Sequence, residues 1–410
     1  MSNFAFGTYR ISDINPQHIE ALKEAIESGI EMIDTSSNYM DGGAERAIAI
    51  AFREFDEDKK DQVEIVSKFG YLQGTNLLNY KEDPSIIENE KEVVKYSDEC
   101  YHSIAKSFMH EQLSASLQRL EMQRIDCYLI HNPEYYILDA INRGMDKDER
   151  LDEMYRRLQE AFVGLEEEVK SGRIGSYGIS SNSFSLPRAS DEFLPYEDLP
   201  TLAYNAAMIV GNRTHSFTTI ELPINILERD GLKCASWAKK NGLRVLANRP
   251  LNAKYNEMMY RLADYDESKD YYTYFNELME VCDNEALRPL YNLLEQLDAT
   301  KHKFGWIGDY DLFLFTQIIP HMRKTLQKVD EESSRTMLDF IDLFLIEYRK
   351  MVAHECAKRT RAELKEFFKE CSATMPECSL KFLINSENVD YILVGMRKSS
   401  YVHEILSLDR

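Results

Sequence analysis

EMIDTSSNYMDGG, residues 31–43, is the stretch on which the reading of this chain turns. Met32 and Ile33 favour a strand that runs straight into Asp34, and a polar loop then delivers Tyr39. On their own, Asp-Thr-Ser clusters mostly cap helices or close turns. Two further strand candidates give this one its weight: QVEIVSK stops at Lys68 and IDCYLIH stops at His131. A parallel α/β barrel gathers its chemistry at the C-terminal ends of its strands. Asp34, Tyr39, Lys68 and His131, on successive strand ends, therefore predict a proton-donating site.

Working outward, apolar runs alternate with helical patterns. FAFGTYRI opens the chain, and Asn15-Pro16 starts a helix with Ile19, Leu22, Ala25 and Ile26 on one face. A helix follows Gly43, and residues 71–99 read as loop before HSIAKSFMHEQLSASLQRL. The amphipathic EMYRRLQEAFVGLEEEVKSG comes after a modest extension at 135–150. GSYGIS is expected as strand five, TLAYNA (201–206) as strand six, LRVLAN as strand seven and VDYILVG as strand eight. Short apolar strands without in–out alternation belong to a parallel barrel buried on both faces, so the fold expected is a (β/α)8 TIM barrel. The rival, an open doubly wound sheet, advertises a Gly-x-Gly-x-x-Gly turn after its first strand, and none is present.

Residues 256–355 exceed a minimal barrel. This stretch is rich in Tyr, Leu and acids, poor in Gly and Pro, and contains helical runs such as DLFLFTQIIPHMRKTL. A packed helical insertion after strand seven is expected, with 1–255 and 356–410 forming the barrel. At the catalytic rim it would act as a lid or pocket wall, or else as a dimerisation or stabilising subdomain. Its tyrosines are expected to pack a helical core rather than line a sugar site.

The net charge of −21 argues against wrapping nucleic acid or sitting on an anionic membrane. No run reaches the apolar length of a membrane span, and the N-terminus lacks a signal-peptide pattern, so a cytoplasmic location is expected. The seven cysteines show no C-x-x-C spacing and no Cys/His cluster, which predicts free thiols and no metal site.

GTYRIS, IDTSSNYMDGGAE, IVSKFG, LIHNPE, SGRIGSYGISSNSF and ILVGMRKSSYV, in that order, resemble an aldo-keto reductase over almost everything outside the insertion. The resemblance implies reversible hydride transfer between a nicotinamide cofactor and a carbonyl or alcohol, with Asp34, Tyr39, Lys68 and His131 as the catalytic set. Physics supports that set independently. A carbonyl that receives hydride develops negative charge on oxygen and needs a proton donor beside it. A free phenol, with a pKa of ~10, is a weak acid at neutral pH, and lowering it by about three units takes roughly 4 kcal/mol. A cationic lysine ~4 Å away supplies about that much at an effective dielectric near 20. Lys68 is thus expected to lower the Tyr39 pKa, Asp34 to hold Lys68 charged, and His131 to orient the carbonyl.

For the cofactor, the resemblance implies Gly7, Thr8 and Tyr9 at the pocket floor, with Asp34 beside them. Ser180 and Ser181, with Asn182, would meet the nicotinamide amide. Asn205 would stand in for the family's glutamine and Asn248 for its stacking aromatic. Arg249, Pro250 and Leu251 would form the turn that meets the pyrophosphate, with Arg249 free to do so. Gly395, Met396, Arg397 and Tyr401 would hold the adenosine end. Arg397 beside the ribose points to NADP(H) rather than NAD(H). Ile405 stands where the family often has an adenine-contacting asparagine. The family commonly continues past its final helix with a pocket-shaping loop; this chain's last residue is Arg410, so the insertion is expected to wall the pocket instead. The partner expected is a small-molecule carbonyl or alcohol. Two alternatives stay open: a cofactor-binding regulatory subunit with vestigial chemistry, and a lyase or metal-dependent isomerase.

Overall fold

The structure, a computed structural model, describes residues 3–256, 258–326 and 331–409. The stretch 256–355 singled out above therefore includes Glu257 and residues 327–330, which lie outside the described residues, as does Arg410. Eight apolar segments become eight strands: β1 (Phe4–Gly7), β2 (Met32–Asp34), β3 (Glu64–Phe69), β4 (Ile125–His131), β5 (Ile174–Ser180), β6 (Phe217–Pro223), β7 (Arg244–Asn248) and β8 (Tyr391–Val394). They close in sequence order into one parallel barrel, β1 pairing with both β2 and β8. The expected (β/α)8 barrel is the fold observed, and the helical insertion follows β7.

The helices that alternate with these strands include α1 (Pro16–Glu27), α2 (Gly43–Phe52), α3 (Lys106–Leu120), α4 (Lys147–Ser171), α5 (Leu199–Val210), α6 (Gly231–Lys240), α7 (Met375–Ile384) and α8 (Ser399–Leu406). The start of α1 follows the sequence signal: Pro16 sits at the first position and the Asn15 side chain accepts from Gln17 N.

Inside the barrel, Ala5, Met32, Val66, Cys127, Leu129, Leu246 and Leu393 form an apolar plug. Side chains on a strand alternate faces with period two. Residues two positions beyond the plug therefore point inward again, one layer nearer the C-terminal rim. Met32 leads to Asp34, Val66 to Lys68, Leu129 to His131 and Leu246 to Asn248. Strand register aligns the layer: Asp34 pairs with Val66, Lys68 with Leu129, and His131 with Ser180, which pairs with Glu221. One close approach requires glycine: a Cβ on Gly178 would lie 2.0 Å from Thr219 O across the β5–β6 seam.

Three expectations are corrected. TLAYNA is part of α5, not a strand. Leu199, Ala203, Ala206 and Ala207 are buried at helical spacing, Pro200 stands in the first turn, and Gly211 ends the helix in the left-handed region. The sixth strand is the β-branched FTTIELP that follows. Residues 71–99 are not plain loop. Tyr71–Leu72, Val94–Ser97 and Cys100–His102 form an antiparallel three-stranded sheet, with a helix at Gly74–Glu82. Finally, Cys371 and Cys378, the second of them within α7, form a disulfide, their Cα atoms 6.0 Å apart, while the other five cysteines are free and buried.

The chain divides into two compact units, 1–250 with 380–410 and, separately, 251–379. The second holds the helices Tyr271–Cys282, Arg288–Thr300, Ile307–Phe313 and Ile319–Leu326, together with a long helix over Glu331–Glu363. Its core is built from Tyr271, Leu290, Leu294, Tyr310, Phe344 and Tyr348, among others. Tyr271 donates to Asp298 Oδ1 at 2.7 Å and Tyr348 donates to Leu297 O at 2.8 Å, so these tyrosines are core residues with their hydroxyls matched.

Candidate active site

Lys68 is fully buried, and its Nζ forms a close ion pair with Asp34 Oδ1. It also donates to Thr35 O at 3.0 Å. A second carboxylate, which sequence reasoning missed, faces the same ammonium: Glu221 Oε2 is 3.3 Å from Lys68 Nζ. Tyr39 comes from the loop after β2, and Lys68 Nζ lies 5.3 Å from its ring centroid. His131 meets the Tyr39 ring edge-on at 5.9 Å between centroids. All four predicted catalytic side chains thus converge, with Glu221 as a fifth.

Burial pulls the Lys68 pKa down, but Asp34, then Glu221 and Tyr39, outweigh that and hold the ammonium above its ordinary value. Burial, reinforced by Glu221, pushes the Asp34 carboxyl up to about 8 against the pull of Lys68. Burial and Lys68 hold His131 neutral, well below its ordinary range. Tyr39 overturns the expectation that Lys68 would win. Burial raises the phenol, Lys68 lowers it, and Asp34 and Glu221 raise it again, so the net shift is upward. Depth in the barrel and the unforeseen second carboxylate are the reasons. At neutral pH the site holds a protonated phenol and a charged lysine.

A polar frame fixes these groups. Thr8 N and Thr8 Oγ1 both donate to Asp34 O at 2.9 Å. Ser36 Oγ lies 3.1 Å from His131 Nδ1. His102 Nε2 lies 2.7 Å from His131 O, an approach that Gly70 permits, since a Cβ there would meet both atoms at 2.7 Å. Tyr71 and Tyr135 continue this aromatic wall, Tyr71 edge-on to His131 and Tyr135 stacked on His102.

The residues expected to bind a cofactor meet mixed fates. Gly7 is in register with Asp34, and Tyr9 is exposed and edge-on to Tyr39. Ser180 is buried at the end of β5. The Ser181 hydroxyl is committed, donating to Glu134 Oε2 at 2.8 Å, while exposed Asn182 donates from its backbone N to Glu134 Oε1 at 2.9 Å. Asn205 is exposed on α5, a helix rather than the strand expected for it. Asn248 donates to Glu221 Oε1 at 2.9 Å. Arg249 is not free as expected: it pairs with Glu228 Oε1 at 2.6 Å, because the turn after β6 supplies that acid. Pro250 is buried, whereas Leu251 begins the second unit. Met396 is buried; Gly395, Arg397 and Tyr401 are exposed around the start of α8, and Ile405 is buried. Among the described residues no cluster of His, Cys, Asp and Glu could hold a metal, and no helix is long and apolar enough to cross a membrane.

A closed parallel barrel with a buried Lys–carboxylate set, a tyrosine and a neutral histidine at its C-terminal rim defines the class of the protein. The model of the Aldo/keto reductase family matches residues 3–289, and the chain belongs to that family. Among solved structures, it is similar to an aldo/keto reductase from Klebsiella pneumoniae in complex with NADP and acetate. That likeness is 21% identity over 61% of this chain and 65% of the other, with a TM-score of 0.38. The chain thus spans about two thirds of that protein's length. A glycerol dehydrogenase from Gluconobacter oxydans is 16% identical over 100% of this chain and 86% of its own, with a TM-score of 0.48. A thermostable aldo-keto reductase in complex with the inhibitor epalrestat is 17% identical over 100% and 90%, with a TM-score of 0.48. No curated protein matches the chain.

Proposed function

We propose that the chain interconverts a carbonyl and an alcohol, using a nicotinamide dinucleotide, NADP(H) rather than NAD(H), with Tyr39 as the proton donor and acceptor. The observation that carries this reading is the buried Lys68 ammonium set between Asp34 and the Tyr39 ring. The rim fits such a cofactor: Asn248 Oδ1 and Arg249 Nε, an acceptor and a donor on consecutive residues, are buried with no hydrogen-bond partner among the described residues. Arg397, exposed before α8, makes no ion pair among the described residues and suits a 2′-phosphate. The bound dinucleotide would supply the hydride.

The chain's own part is the proton. Tyr39 holds it tightly until the carbonyl oxygen becomes an alkoxide, a far stronger base than a phenolate. Transfer is then downhill from even a raised phenol, and the adjacent Lys68 stabilises the phenolate left behind. Ser36 Oγ holds the His131 ring at Nδ1, and, held neutral, His131 flanks the carbonyl without adding a charge. In oxidation of an alcohol the Tyr39 phenolate, stabilised by Lys68, takes the hydroxyl proton as hydride leaves the carbon for the dinucleotide.

The test is to titrate NADPH and NADH separately, then screen carbonyls and polyols for absorbance change at the nicotinamide band. Turnover with tighter NADPH binding supports the reading. Binding without any turnover would favour the regulatory-subunit alternative instead.

A further inference from the structure

Glu221 lies on β6, two positions beyond Thr219, so the strand's period aims both into the barrel. Its side chain is 2% exposed, and each oxygen has its own neighbour. Oε2 faces Lys68 Nζ at 3.3 Å, and Oε1 accepts from Asn248 Nδ2 at 2.9 Å. Two buried carboxylates thus share one buried ammonium. The groups that face it are Asp34 from β2, Tyr39 from the following loop, His131 from β4 and Glu221 from β6; Asn248 from β7 is uncharged. With both acids ionised the cluster carries one net negative charge in a dry site, an arrangement that a simple Lys–Asp pair would avoid.

We infer that Glu221 is a positioning residue for the reaction proposed above: held by Asn248, it acts as a second anchor on Lys68 and sets the charge that Asp34 and Tyr39 experience. The inference rests on that reading for its role in turnover but not for its electrostatics. A like charge raises a neighbouring acid. Glu221 does so to both Asp34 and Tyr39, in each case behind the larger effect of burial. Removing its charge should therefore lower both, and an alkaline fall in the reduction rate should move to lower pH.

The test replaces Glu221→Gln, which keeps shape and hydrogen bonding while deleting the charge. The Asp34 carboxyl is followed by carbon NMR in cofactor-free protein labelled at aspartate, its signal assigned by Asp34→Asn. The midpoint should fall by about one unit or more in Glu221→Gln. Glu221→Asp, which retains the charge one methylene further back, should restore most of the shift. The steady-state pH profile for carbonyl reduction should move in the same direction. An unmoved Asp34 midpoint, or Gln and Asp variants that behave alike, would overturn the inference. Should the Gln variant fail to fold, the Asp variant carries the test, through a smaller displacement of the same sign; no displacement would count against it. Because the titration needs no turnover, its failure is distinct from failure to find a carbonyl substrate.

Discussion

Replacing Lys68→Met removes the one cation from a buried site that keeps two carboxylates. Asp34 and Glu221 are 5% and 2% exposed in their side chains, so neither can turn to water. Breaking a buried pair in this way costs about 3–5 kcal/mol. At roughly 2–4 °C per kcal/mol for a large domain, the Tm should fall by roughly 6–20 °C near pH 8. The penalty should grow above about pH 8, and the sign follows from linkage. Burial raises Asp34 above its unfolded value to about 8. The folded state therefore retains protons that the unfolded chain has released, and the stability they provide is lost as pH rises toward 8. Without Lys68 that carboxyl rises further, so the variant goes on losing stability above about pH 8, where the parent no longer does, and it should lose more at about pH 9.5 than at about pH 7. Activity should fall as well, since a cation at ~4 Å is worth about 4 kcal/mol at an effective dielectric near 20, roughly a thousandfold in rate. Thermal melts by circular dichroism at both pH values and kcat at saturating cofactor read the two effects. A Tm loss that is the same at about pH 7 and about pH 9.5 would refute the reasoning.

Two further outcomes are expected. Arg397→Ala should raise the Kd for NADPH roughly tenfold and leave NADH binding near its original value, as fluorescence titration would show. Arg119→Met strips the ion-pair partner, at 2.6 Å, from Glu45, a fully buried acid whose other bond is from Ser67 Oγ at 2.7 Å. It should cost about 3 kcal/mol of stability, seen as a lower denaturant midpoint, while the NADPH Kd stays unchanged.

The strand ends at Asp34, Lys68 and His131 were legible because each closes a short apolar run, and barrel register then brings them together. Glu221 was not, because α5 is apolar enough to pass for a strand when only TLAYNA is read. Its helical spacing emerges over Leu199, Ala203, Ala206 and Ala207, and FTTIELP, rich in β-branched residues and ending at Pro223, held the missing signal. The sign of the Tyr39 shift depends on depth and on that second acid, and neither is written in a linear pattern. Arg249 looked available for phosphate because Glu228, its partner, lies across a turn on another strand's loop. The Cys371–Cys378 pairing likewise needed the path of the chain into α7, which brings the two together.

The central claim, that the Tyr39 hydroxyl moves the proton, is tested most directly by Tyr39→Phe, which deletes one oxygen and keeps the ring against Tyr9 and His131. Carbonyl-dependent oxidation of NADPH should slow by roughly 10²–10⁴-fold, with the Kd for NADPH unchanged. Turnover within a few-fold of the parent protein would contradict the account.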